Sequence, residues 1–214
     1  MRLADALNRA VRRLPAWPVY AGSAAYAGWM FWRGVAGGLG ANPVEALEHA
    51  YGEAALYLLI AGLAVTPLRR IAGVNLIRLR RAIGLACFFF VVVHLLTWAV
   101  LDIQSISRVW ADIVKRPYIT VGMAGFLMLL PLALTSNDWS VRRLGPAWRR
   151  LHRLVYPAAI LGGVHYLLLV KGWQMKPMVM LALIAGLLAL RLLFVRTPRR
   201  PILRGAAVPA ESQR

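Results

Sequence analysis

At 214 residues and 23.7 kDa the chain has the size of one ordinary soluble domain. Its composition does not fit one: 60% of residues are hydrophobic, 16% are charged and the mean hydropathy is +0.60, against roughly 45–50% apolar and about 25% charged in soluble domains. With 26 Lys and Arg against 8 Asp and Glu the net charge is +18, a balance that alone would point to nucleic acid or an anionic membrane; hydropathy decides for the membrane.

Six segments approach the ~20 apolar residues needed to cross a hydrocarbon core of roughly 30 Å, near 15–35, 50–67, 82–101, 117–136, 154–171 and 177–195. The third and fourth contain no Asp, Glu, Lys or Arg. The others are shorter or carry one charge near an end, Arg33, Glu53, Lys171 or Arg191, from which a side chain can snorkel to the headgroups. The expectation is an all-α integral membrane protein, a six-transmembrane-helix bundle forming one domain over 1–204, with a disordered cytoplasmic tail at 205–214. Arg-rich residues 2–13 precede a small-residue run at 23–27, but five further apolar segments follow, so the first helix is read as uncleaved.

Alternate loops differ sharply in charge. One side holds twenty cations, in residues 2–13, the 68–81 loop, the 137–153 loop and the stretch from Arg191 onward. The other holds six, Arg33, Arg108, Lys115, Arg116, Lys171 and Lys176, nearly balanced by Glu45, Glu48, Glu53, Asp102 and Asp112. The positive-inside rule places both termini in the cytoplasm, which accounts for the charge without nucleic acid.

The lone Cys87 lies in an apolar run, which excludes an intramolecular disulfide and any cysteine-built zinc or iron–sulfur site. Metal or redox chemistry falls to four histidines. His94 lies twelve residues after Ala82, ~18 Å deep and ~10 Å from the outer end. His165 lies six residues before Lys171, ~9 Å from the same end. Two imidazoles on two outward-running helices therefore reach matching depth, which favours a shared ligand over two unrelated polar contacts between helices. His152 is thirteen residues before His165, ~19.5 Å along a helix toward the cytoplasm. Thirteen residues miss a common face by about 140° on an ideal helix, and the intervening Pro157 can kink it. Two stacked levels suit a transmembrane electron wire in which haem iron takes one imidazole above and one below. The positions thirteen and fourteen before His94 are Arg81 and Arg80, poor metal ligands but good partners for carboxylates such as haem propionates. His152 and His49 are equally explained as interfacial residues. Trp98, Trp110, Tyr118 and Trp173 read first as an aromatic belt.

Several stretches together carry a family resemblance: Gly38-Leu39-Gly40-Ala41-Asn42-Pro43-Val44, Glu48-His49, Thr66-Pro67-Leu68, Arg80-Arg81 with Gly84-Leu85, Lys115-Arg116-Pro117-Tyr118-Ile119-Thr120-Val121-Gly122, Leu134-Thr135-Ser136, Arg143-Leu144-Gly145 with Trp148, Leu151-His152, Val155-Tyr156 and His165-Tyr166. Over about residues 36–170 the chain resembles the MsrQ family (formerly YedZ), membrane haem subunits of bacterial MsrPQ methionine sulfoxide reductase systems within the ferric-reductase-like transmembrane superfamily. The resemblance implies a bacterial inner-membrane six-helix bundle with one or two haem b. It implies electrons arriving from the quinone pool or a cytoplasmic flavin reductase and leaving to a periplasmic molybdopterin partner, MsrP, for repair of oxidised periplasmic proteins. It also implies an association with FMN, for which no phosphate-binding motif is visible. His94, His165 and His152 match the family's haem histidines, while Arg80 and Arg81 stand where the superfamily's four-histidine arrangement would place another. The reading is an electron-transfer subunit; the other classes are a small proton-relay transporter and a non-catalytic membrane scaffold. A transporter commonly shows two similar halves with broken helices, which this chain does not.

Overall fold

The computed structural model describes residues 2–170 and 172–196; Lys171 and the tail expected at 205–214 lie outside them. Among the described residues the structure is helical with no strand. The helices are α1 (Arg2–Arg13), α2 (Trp17–Val35), α3 (Pro43–Ile71), α4 (Arg80–Leu96), α5 (Ile106–Lys115), α6 (Pro117–Leu134), α7 (Asp138–Leu144), α8 (Pro146–Leu151), α9 (Val155–Leu169) and α10 (Met175–Arg196). Proline stands in the first two positions of α2, α3, α6 and α8, where its missing N–H would have no helical partner and its fixed φ suits the first turn. Between α7 and α8 the chain turns at Gly145, φ +48°, a conformation that a Cβ disfavours.

Four stretches are long and apolar enough to cross a membrane on length and composition: 43–71, 77–103, 117–134 and 175–193. Helix α9, at fifteen residues, falls short of the ~20 residues of a full span, and α2 is diluted by Ser23, three glycines and Arg33. The bundle is built on α3, which packs chiefly on α4 and also on α2 and α10, while α6 packs chiefly on α9. One core joins Ala27 and Met30 of α2 with Leu47, Tyr51 and Ala55 of α3 and Phe90 of α4, and the Tyr51 hydroxyl donates to the Ala27 carbonyl at 2.8 Å. A second joins Leu56, Leu59 and Leu63 to Cys87, Ala159 and Ile184.

Two expectations change at this level. Arg191 does not snorkel: it is 9% exposed, with Nε and Nη2 donating to the Leu63 carbonyl at 3.3 and 2.9 Å and Nη1 to the Tyr156 hydroxyl at 2.9 Å. The reason lies four residues along α3. Pro67 sits inside that helix and has no N–H for the carbonyl four residues before it, Leu63, and in hydrocarbon an orphaned carbonyl costs several kcal/mol. The guanidinium of α10 supplies the donor that the proline removes. Replacing Arg191 with Met should lower the thermal midpoint in detergent, at a cost of about 1–3 kcal/mol for the unsatisfied carbonyl. Pro67→Ala restores the helical donor and should recover part of that loss; no recovery in the double variant would contradict the pairing.

Pro157 is the second change. It lies in the first turn of α9, where its missing donor costs no α-helical hydrogen bond. The break between His152 and His165 is a 3-10 turn at His152–Leu154, whose tighter winding alters the rotation between the two imidazoles.

Candidate functional site

His94 lies near the end of α4, one turn before a π-helical stretch at Thr97–Ile103, a geometry often found at functional sites. The Thr97 hydroxyl donates to the Val93 carbonyl at 2.8 Å, a side-chain competitor for the main-chain ladder of the kind that bends helices. His165 lies on α9, and the two rings meet with centroids 6.1 Å apart and planes inclined at 77°. Each ring is tied through Nδ1 to a main-chain carbonyl, His94 to Glu48 at 2.9 Å and His165 to Tyr118 at 2.7 Å. A carbonyl only accepts, so both Nδ1 atoms carry the proton and both Nε2 lone pairs are free to ligate, the arrangement usual for metal-bound histidine.

Room for the rings comes from two glycines. A Cβ on Gly122 would stand 2.7 Å from Nδ1 and 2.9 Å from Cε1 of His165, and one on Gly52 would stand 3.2 Å from Nδ1 of His94. The rings open on a cavity of ≈ 220 Å³ lined by α3, α4, α6 and α9, with Leu56, Leu59, Val91, Phe126 and Leu129 as its apolar wall and Gly125, Ala158 and Gly162 as small residues between. Trp98, Tyr118 and His49 line it as well. Glu48, whose carbonyl holds His94, places a buried Oε1 without a partner beside it.

This donor set fits haem. Among the described residues no three His, Cys, Asp or Glu side chains converge as a metal cluster, so the protein offers an iron two imidazoles, which are all that a porphyrin-bound iron requires. With metal–nitrogen bonds of about 2 Å, the length formed by imidazole with transition metals, two rings on opposite sides of one metal have centroids about 6 Å apart, the separation observed.

The His152 end of the bundle is different. His152 Nε2 lies 3.0 Å from the Thr135 hydroxyl, and the Trp148 indole stacks on its ring at 3.9 Å between centroids while donating Nε1–H to the Thr135 carbonyl at 2.9 Å. Burial, with the Arg80 charge nearby, holds the His152 pKa below the ordinary imidazole value, which keeps the ring neutral at physiological pH. Arg80 lies near the Tyr156 hydroxyl, which accepts from Arg191 at 2.9 Å. Arg81 instead pairs with Asp138 at 2.6 Å, both side chains largely exposed, whereas the charge of Arg80 acts on His152. Such an exposed pair is worth roughly 0–1 kcal/mol. Asp138 is held below the usual carboxylate range, first by its hydrogen bond from Arg81 and then by that residue's charge. Of the remaining candidates, Trp110 is 70% and Trp173 93% exposed, as a lipid-interface belt requires.

Sequence reasoning missed Gly52, Gly122 and Glu48. Gly122 and Glu48 fall in stretches that carry the family resemblance, but the sequence shows no role for them or for Gly52, because that role exists only once α3 is set against α4 and α6 against α9.

The family model for the ferric reductase like transmembrane component matches residues 51–163, the stretch that holds His94, His152 and all but the end of α9. Proteins named as the heme-binding subunit MsrQ of protein-methionine-sulfoxide reductase, from Brucella ovis, Brucella canis and Brucella suis, are each 46% identical to this chain over 191 residues, covering 88% of this chain and 86% of theirs. The chain belongs to the MsrQ family. No solved structure matches it. As an MsrQ family member with several apolar spanning helices it is a multi-pass membrane protein. Its relatives' name supplies the ligand class, haem, that the two capped imidazoles suit on chemical grounds.

Proposed function

We propose that this chain is the membrane electron-transfer subunit of a methionine sulfoxide reductase system in the bacterial inner membrane. One haem b is held between His94 and His165 near the outer face, and a second lies at His152 with Arg80 as its carboxylate partner. The observation that carries the reading is the pair of imidazoles at 6.1 Å with both Nδ1 atoms tied to carbonyls. Bound haem supplies a one-electron carrier that the polypeptide lacks. The chain's own residues fix the imidazole tautomers, clear space for the rings through Gly52 and Gly122, and surround the site with apolar side chains that exclude water. The bundle has six spans, α2 and α9 completing the four longer ones, with both termini in the cytoplasm and one domain over 1–204. Electrons enter from quinol or a cytoplasmic flavin reductase and leave to a periplasmic molybdopterin reductase, MsrP, that repairs oxidised proteins.

The start of α3 is not a flavin phosphate site. The glycine-rich stretch at 37–40 leads into α3, whose first turn carries Glu45, an anion where a phosphate-binding helix start would need none. No step is derived through flavin. The proton-relay transporter is disfavoured by Glu53, the acid it would use. Glu53 Oε1 accepts from the Tyr166 hydroxyl at 2.9 Å and from Lys176 at 2.5 Å, so its charge is already compensated.

The proposal is tested in a vesicle that holds the full chain with its haem: chemical reduction at the cytoplasmic face should be followed by reoxidation on adding MsrP and an oxidised methionine substrate outside. Orientation is tested separately. A cysteine at Asn75 should resist an impermeant thiol reagent added to intact cells and one at Ser105 should react, as the cation asymmetry requires; the reverse pattern would invert the direction of electron flow. His152→Ala should leave the outer haem intact while slowing its reduction from the cytoplasmic side, and unchanged cofactor content with an unchanged rate would reduce His152 to an interfacial residue.

A further inference from the structure

A haem brings two carboxylates with it, and the cavity must place them. Among the described residues that line the cavity there are three acids, Glu48, Glu53 and Asp102, and one Lys or Arg, Arg116. Glu53 is already paired with Lys176; in a site of low dielectric a carboxylate beside Glu48 or Asp102 is repelled and one beside a guanidinium is held. Arg116 stands at the junction of α5 and α6 with its side chain 52% exposed, where the cavity opens to the outer face. It is held there on two sides: Nη1 donates to the Tyr118 hydroxyl at 3.2 Å and Nε faces Asp112 Oδ1 at 3.3 Å. The Tyr118 carbonyl in turn accepts from His165, so one residue links the guanidinium to the ligating ring.

We propose that Arg116 anchors a propionate carboxylate of the haem held by His94 and His165, and so turns the carboxylate edge of that haem toward the α5–α6 mouth of the cavity. The proposal rests on the haem reading above. Its consequence is an orientation: the edge nearest an outer acceptor is the one that carries the propionates, and the apolar edges face Leu59, Phe126 and Leu129. The cation also favours the reduced, less positive iron.

The test uses the full haem-loaded chain in nanodiscs and follows the haem that His165→Ala removes. Arg116→Gln should release that haem to apomyoglobin about tenfold faster, the scale of one charge-assisted hydrogen bond, and should lower its midpoint potential; Arg116→Lys should lie between. The same pair reconstituted with haem dimethyl ester, which has no free carboxylates, should release at equal rates. The inference fails if Arg116→Gln changes neither release nor potential, or if its difference persists undiminished with the ester, which would make Arg116 a structural or partner-facing residue. A wild-type chain that takes up no haem at all would overturn the underlying reading, an outcome distinct from either of these.

Discussion

His94→Ala and His165→Ala should each abolish the same haem. On the proposed reading His94 and His165 would hold one iron together, so losing either would end its six-coordination; the two rings are 6.1 Å apart on separate helices with no third His, Cys, Asp or Glu converging on them among the described residues. The check is haem content per polypeptide together with the low-spin visible spectrum of each purified variant. Matching losses support the shared ligand. Loss of different haems, or full retention of a low-spin spectrum in either variant, would separate the two histidines. His152→Ala serves as the control, since its ring is engaged with Thr135 and Trp148 at the other end of the bundle.

Gly122→Ala should be nearly as severe without unfolding the protein. Alanine is favoured over glycine in a helix interior by roughly 0.5–1 kcal/mol, so α6 itself gains, but the new Cβ would stand 2.7 Å from His165 Nδ1. That is closer than the atoms allow, and the ring must leave the Tyr118 carbonyl that sets its tautomer. Disturbing such an outer partner of a metal ligand costs about 10–100-fold in affinity. Gly52→Ala, at 3.2 Å from His94, should be milder, retaining haem with a shifted spectrum. The measurement is haem retention beside the thermal midpoint of the polypeptide: weakened haem with an undiminished apoprotein midpoint is expected for Gly122→Ala, and normal haem affinity would contradict the close approach.

The histidine pair was legible because helix rise is constant: counting from the ends of two apolar segments was enough to put His94 and His165 at one depth. Rotation was not legible from the same count. The thirteen-residue gap to His152 reads as a mismatch of faces only on a continuous helix, whereas the chain has a 3-10 turn at 152–154 with Pro157 in the following first turn. Arg191 read as a snorkelling end residue because its partner is a main-chain carbonyl on another helix, made available by Pro67, and no side-chain pattern announces a missing N–H 124 residues away. Arg80 and Arg81 were read as one pair, yet alternate directions on the first turn of α4 send Arg80 to Tyr156 and Arg81 to Asp138. The residues that shape the cavity, Gly52, Gly122 and Glu48, carry no signal of that role, because what they contribute is the space and the carbonyl that another helix needs.

The central claim, a six-coordinate haem shared by α4 and α9, is met most directly by a reduced-minus-oxidised visible spectrum of the purified full chain, taken with its haem-to-polypeptide ratio and repeated on His165→Ala. The account predicts at least one low-spin b-type haem per chain in the wild type and one fewer in the variant. A wild-type chain without haem, or a variant with the wild-type ratio and spectrum, would contradict it.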